Sequence, residues 1–426
     1  MWDQCVPSKR LAPWAGLRYK QRAARALGRG VGGKTMKLAT RMERLGTETA
    51  FEVLVRAKTL EAQGRDIIHL EIGEPDFDTP ANIIDAGCDA LRGGWTHYGP
   101  SAGLPELRDT IATYINRSRG TAYGADQVIV TPGGKPIMFF VMLALVEAGD
   151  EAIYPDPGFP IYRSMIDFAG AKAVPIPLRE ANEFRLDIDE LAGLITSRTK
   201  LLIINSPANP TGGVLDRTDL SHVAELAVRH DLIVLADEIY SELLYEGDHV
   251  SLATMPGMAE RTIILDGFSK TYAMTGWRLG YGLMPAALVE AVNKLMVNSV
   301  SCTTVAVQRA GIEALTGSQD AVREMREAFR HRRDLIVAGL NQIPGISCLT
   351  PKGAFYVFPN ITATGQKSKV FADSLLNEHG VAALAGTAFG AAGEGYLRLS
   401  YANSEENLTK ALERIETATR ALAGAR

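Results

Sequence analysis

Cysteine is scarce in this chain. Its four cysteines, Cys5, Cys88, Cys302 and Cys348, stand far apart and form no C-x-x-C pair, which excludes a zinc ribbon and a disulfide framework and fits a reducing cytoplasm. The seven histidines show neither H-x-x-x-H nor H-E-x-x-H spacing, so they read as structural or surface residues and no metal site is expected. Long apolar runs are missing as well: the longest, IMFFVMLALV at 137–146, is too short to span a bilayer and reads as a buried helix, so no membrane partner is expected. The start of the chain lacks an apolar stretch followed by a small-residue cleavage site and does not read as a secretory signal. What that start lacks most is acid. Residues 1–35 carry eight lysines and arginines against Asp3 alone, while the remainder is net acidic and offers no footprint for nucleic acid. Such a start is compatible with an organelle transit peptide, but we read 1–35 as a basic, disordered extension, with Met36 opening the folded protein.

What is present is a soluble globular composition, 46% hydrophobic and 22% charged, in a chain long enough for two domains. DQVIVTPGG (126–134), DEAIYPDPG (150–158), TKLLIINSPANP (199–210), DLIVLADEIY (231–240) and RTIILDGFSK (261–270) each begin polar, run apolar and β-branched, and end in turn-forming or polar residues. Apolar strands alternating with helical segments predict an α/β fold, with a mostly parallel sheet covered on both faces. Ligands bind such sheets at the carboxyl ends of the strands. After residue 318 the texture changes to long charged helices and short strands, a smaller α+β domain. The expected division is therefore an arm with part of the small domain at 36–79, a large domain at 80–318 and the small domain at 319–426.

The strand ends carry the unusual residues. Asp237 and Tyr240 close one strand, Asn209 follows another, and Lys270 follows a third, in a stretch from 267 to 281 that holds no acid to pair with it. Singly, each has a plain structural explanation: a helix cap, a core tyrosine, a turn, a solvated charge. Together they form the set a pyridoxal phosphate enzyme requires. A partly buried lysine amine is nucleophile and base. A carboxylate keeps the pyridine nitrogen protonated, so that the ring accepts electrons. A phenol and an amide stabilise the ring oxygen, and Arg278, eight residues beyond Lys270, supplies a fixed cation for phosphate. The Gly133-Gly134 turn before Lys135 leaves free N–H groups at a helix start, which anions favour.

GEPDFDTP (73–80), YGPSAGLPELR (98–108), TPGGKP (131–136), NSPANPTGG (205–213), DEIY (237–240), SKTYAMTGWRLGY (269–281), PKGAFYVFP (351–359) and YLRLSYA (396–402) resemble, in order, the motifs of class I/II aminotransferases. The resemblance spans about residues 40–420 and leans toward the branch of bacterial aspartate aminotransferases. It implies a fold type I enzyme with a seven-stranded-type sheet, dependent on pyridoxal 5'-phosphate and homodimeric. It makes Lys270 the Schiff-base lysine, Asp237 the pyridine partner, and Tyr240 with Asn209 the donors to the ring oxygen. Gly133, Gly134, Lys135, Ser269 and Arg278 fall at cofactor-binding positions, and Phe159 falls where an aromatic ring stacks on the cofactor. Arg398 corresponds to the holder of the substrate α-carboxylate, with Gly73 and Asn209 beside it, and Tyr98 to a tyrosine reaching the neighbouring subunit's phosphate.

Two positions depart from the pattern. Gly267 stands where many relatives have serine, and Pro136 where glutamine is common. The expected reaction is transfer of an amino group between an L-amino acid and a 2-oxo acid by a ping-pong mechanism. A C–S β-elimination lyase on the same fold is the alternative, since it uses the same lysine and aspartate. A regulator is set aside because residues 1–35 cannot supply a helix-turn-helix. The segments 137–150 and 296–305 carry no basic residue, so a neutral, partly apolar side-chain wall and a neutral amino donor are expected, with Thr47 or Thr49 available to the distal carboxylate of 2-oxoglutarate.

Overall fold

A computed structural model describes residues 36–424; the basic extension expected at 1–35 lies outside the described residues. A short strand β1 (Ile68–His69) comes first, followed by the strands of one large sheet: β2 (Val128–Thr131), β3 (Glu151–Asp156), β4 (Lys172–Pro177), β5 (Thr199–Asn205), β6 (Ile233–Asp237), β7 (Thr262–Gly267) and β8 (Gly280–Leu283). The seven strands lie in the order β2-β8-β7-β6-β5-β3-β4, and only β8 runs against its neighbours. This is the mostly parallel, helix-covered α/β sheet that the strand pattern predicts.

Side chains alternate across a strand, and β5 shows the consequence. Leu201 and Ile203 enter the core under helices Lys135–Leu145 and Ile161–Ala169, whereas Leu202 and Ile204 enter the core on the other face. All four are buried, each worth roughly 1.5–3 kcal/mol of transfer free energy. The apolar run at 137–146 is helical as expected, buried through Ile137, Met138, Phe140, Val141 and Met142, with Leu143 on the surface.

Two strands escape the sequence pattern. β4 reads KAVPIP, and its two prolines argue against a strand; it is tolerated because it lies at the sheet edge. β8 is the short GYGL, where Cβ atoms at Gly280 and Gly282 would meet the Gly133 backbone and the Ile137 side chain, so glycine lets helix and strand approach.

Beyond the sheet, β9 (Tyr356–Val357), β10 (Val381–Ala382), β11 (Leu384–Ala385) and β12 (Leu397–Ser400) follow. β11, β12 and β9 form an antiparallel sheet, and β1 pairs parallel with β10. Helices Asp320–Leu340, Ser368–His379 and Glu405–Gly424 pack with them. Ile68 and Leu70 share this core with Phe329, Phe355, Phe371 and Tyr401. Among the described residues no helix is long and apolar enough to cross a membrane.

Candidate active site

Parallel strands end on one side of a sheet, and here β5, β6 and β7 end in Asn205, Asp237 and Gly267, with Asn205 and Asp237 directly paired. The chain then turns, and Lys270 stands three residues past β7. Between these ends and β12 lies a cavity of roughly 530 Å³. It is lined by Gly73, Gly134, Lys135, Phe159, Asn209, Asp237, Tyr240, Ser269, Lys270, Arg278 and Arg398 among the expected residues. Gly133 sits behind the lining against Arg278. Tyr98 is the exception: it is 91% exposed and does not line this cavity.

The Lys270 amine donates to the Gly73 carbonyl at 2.6 Å. Its pKa is lowered to about 8, first by burial, with Arg398 also pushing it down and Glu74 acting against them. Asp237 accepts a hydrogen bond from the Tyr162 hydroxyl at 2.6 Å and a longer one from the Ile239 N–H at 3.3 Å. Burial raises its pKa to about 6 against these two bonds, so it is ionised at neutral pH. The hydroxyls of Tyr240 and Tyr356 lie 2.8 Å apart, and Arg398 stacks over the Tyr356 ring at 4.6 Å while donating to the Glu71 carbonyl.

The adjacent acid faces the other way. Glu238 accepts from Arg119 Nε at 3.0 Å and from the Ser251 hydroxyl at 2.6 Å, and Arg119 also donates to Asp266 at 2.9 Å. Burial alone would raise Glu238, but His249 and Arg119 outweigh it and hold its pKa down to about 2. A buried cation thus ties the ends of β6 and β7 from behind.

Several groups await a partner. Asn209 Oδ1 and Arg398 Nε are buried without a hydrogen bond among the described residues, a costly condition unless a ligand supplies one. Gly133 has φ +86°, and a Cβ there would lie 2.1 Å from Arg278 Nη2, so only glycine lets the guanidinium reach the turn. Arg278 itself takes φ +56°, a region few non-glycine residues adopt, and its Nη1 donates to the Thr275 carbonyl at 2.8 Å. Glycine N–H groups, a helix start and an aimed guanidinium form a phosphate cradle. Beside it, a buried amine and a buried carboxylate flank the space, with Phe159 on its lining. This donor set fits a phosphorylated pyridine aldehyde. The two departures fit as well: Pro136 lies in the first turn of helix Lys135–Leu145, and a Cβ at Gly267 would come within 3.0 Å of Gly280.

One expectation needs correcting. The side-chain wall is not uncharged: Lys135 lines the cavity, forms an ion pair with Glu48 and lies over the Phe159 ring at 5.6 Å. The segment 137–150 holds no basic residue, but its helix begins two positions earlier, at Lys135. Sequence reasoning also missed Tyr162, Tyr356 and Glu48. Tyr162 follows Phe159 by one helical turn, and Tyr356 lies inside PKGAFYVFP, so both had a signal; Glu48 had none.

Comparison with known proteins supplies relatives. The model of the family "Aminotransferase class I and II" matches residues 65–415. An aspartate aminotransferase of Pyrococcus abyssi is 44% identical, covering 84% of this chain and 92% of its own. An arginine–pyruvate transaminase of Pseudomonas aeruginosa is 41% identical, covering 88% and 95%. The solved aspartate aminotransferase of Thermus thermophilus with maleate superposes with a TM-score of 0.87 at 40% identity, over 90% of this chain and all of that one.

Proposed function

The chain belongs to the class I and II aminotransferases, and from that membership we propose that the cavity holds pyridoxal 5'-phosphate, joined through Lys270 Nζ and with Asp237 facing its pyridine nitrogen. The protein is a transaminase, moving an amino group between an L-amino acid and a 2-oxo acid. The β-elimination lyase kept open on sequence finds no support in these relatives. When bound, this cofactor supplies an aldehyde that captures amines and a ring that takes up the electrons left when Cα loses its proton.

The chain's own residues do the rest. The Lys270 amine, neutral above about pH 8, takes the proton from the substrate Cα. The Asp237 carboxylate, fixed by Tyr162, keeps a proton on the ring nitrogen. Asn209, through its side-chain N–H, and Tyr240, through its hydroxyl, serve as donors to the ring oxygen. Gly133, Gly134, the Lys135 N–H, Ser269 and Arg278 serve the phosphate, and Phe159 covers the ring. Arg398 orients the substrate α-carboxylate, with Gly73 beside it; its planar fork suits that group. Lys135 is positioned for the distal carboxylate of an acceptor such as 2-oxoglutarate, and Phe51, Phe159 and Leu384 for an apolar donor side chain.

The observation that carries this reading is Lys270, half-buried and with a lowered pKa, in one cavity with the buried Asp237. Pyridoxal 5'-phosphate added to cofactor-free protein should give visible absorption, and borohydride should fix it on the Lys270 peptide. Lys270→Ala should lose the absorption and on the order of 10⁴-fold or more in turnover. Fixation on another lysine, or a fully active Lys270→Ala, overturns the assignment.

The active unit is proposed to be a homodimer in which Tyr98 serves the partner's phosphate. Tyr98 is nearly fully exposed and stands near exposed Trp95, whose ring Arg309 covers at 5.0 Å. A fully active monomer in sedimentation at assay concentration counts against it. The free thiols of Cys88, Cys302 and Cys348 support a cytoplasmic location.

A further inference from the structure

Glu48 is an acid in an unexpected place. It immediately precedes helix Thr49–Glu61, where a side-chain oxygen often caps the helix, yet it makes no capping bond. The carboxylate is turned into the cavity that Lys270 and Arg398 line, and its side chain is only 17% exposed. Its charge is felt at Lys270, Arg398 and Tyr356, in each case favouring the protonated form. Its ion-pair partner is Lys135, whose side chain is 44% exposed and lies over Phe51 at 6.0 Å and Phe159 at 5.6 Å.

The two members of the pair are unequal. The acid is the more buried, and a desolvated carboxylate needs a cation; the lysine has open solvent beside it and a flexible stem. A half-exposed pair of this kind is weakly held, so a second cation entering from the substrate side can take the lysine's place.

We propose that Glu48 is the recognition group for amino donors with a cationic side chain, such as a guanidinium or ammonium, which displace Lys135 toward solvent while the donor's α-carboxylate occupies Arg398. The proposal rests on the assignment of Arg398 under Proposed function. A neutral donor leaves the Glu48–Lys135 pair intact. One site thereby accepts donors of different charge without rebuilding its wall, because each resident charge neutralises the other when the substrate brings none. A purely structural strap between the N-terminal segment and helix Lys135–Leu145 predicts something different: its loss would lower activity toward every donor alike.

The test compares L-arginine with L-citrulline, its neutral near-isostere, as donors to saturating pyruvate. The arginine-to-citrulline ratio of kcat/KM should exceed about tenfold in the native enzyme, the scale of a hydrogen bond to a charged group. In Glu48→Gln it should fall to near one; in Lys135→Gln, which frees Glu48 of its resident partner, it should rise. A native ratio near or below one with citrulline or alanine well used overturns the proposal and leaves the aminotransferase assignment standing. Equal losses for both donors in Glu48→Gln overturn it in favour of the strap. Should Glu48→Gln fail to fold, the native ratio and the Lys135→Gln ratio decide. If no donor reacts, the assignment under Proposed function fails instead.

Discussion

The cavity has two walls built on different terms. On the sheet side, Asp237 and Tyr240 are buried and Lys270 is half-buried, and each is tied to other elements: Asp237 by Tyr162, Lys270 by Gly73, Tyr240 by Tyr356. On the N-terminal side, Glu48 and Lys135 are joined by an ion pair, Lys135 has only ring faces beside it among the described residues, and Phe51 is 56% exposed. Rigid support costs adaptability, and it is spent where the proposed chemistry is the same for every substrate. The wall that meets the varying part of the substrate is left loose. Substitutions on the sheet side should therefore act on all donors equally, and those on the N-terminal side selectively.

The largest effect expected in this comparison is at Asp237. Asp237→Asn keeps the shape but removes the charge facing the proposed ring nitrogen, and turnover should fall by roughly 10²–10³-fold, the scale for losing one preorganised electrostatic group. The fall should be equal for alanine, arginine and aspartate in steady-state assays; a donor-dependent fall would break the contrast between the walls. Next comes pH. With the Lys270 pKa near 8, the neutral, nucleophilic amine is the minor form below that value. The rate at which cofactor-free protein captures pyridoxal 5'-phosphate should rise about tenfold per pH unit below 8 and level off above it. A flat profile from pH 6 to 9 would mean that burial does not set this amine. The smallest effect belongs to the exposed wall. Phe51→Ala should change kcat/KM by less than about tenfold, with different factors for aromatic and small donors, as apolar contacts discriminate only modestly. Equal factors for both classes would remove Phe51 from the side-chain subsite.

The legible and illegible parts of the molecule divide along a similar line. Asp237, Asn209 and Lys270 could be found because the first closes a strand and the others follow one, and a strand end is marked by the switch from apolar run to turn residues. The large sheet was legible for the same reason, except where β4 carries prolines and β8 is built on glycine. Glu48 comes from a segment that only tertiary packing brings to the strand ends, so no local pattern announces it, and Tyr356 is marked by its place in PKGAFYVFP while its pairing with Tyr240 is a fact of packing. Tyr162 is marked only by its spacing from Phe159, and a tyrosine on the buried face of a helix also reads as ordinary core. Lys135 was assigned by its place in a motif, and the direction of its side chain is a fact of packing that no spacing encodes.

The adjacent acids at the end of β6 carry a consequence for heredity. Asp237 and Glu238 differ by one methylene, yet one opens on the cavity with its pKa raised to about 6 and the other meets Arg119 with its pKa held to about 2. Only the pleat decides which is which. A slip of one residue along β6 would send each acid to the other's address, leaving Arg119 opposite the wrong carboxylate while the composition of the strand stayed the same. Residues 233–238 therefore read like a message with a frame: conservative spelling changes are survivable, but a single inserted or deleted letter is not. The exposed loop at 246–248 carries no such alternation, so a change of length there should be far better tolerated, at the cost of the Glu246–Arg333 ion pair.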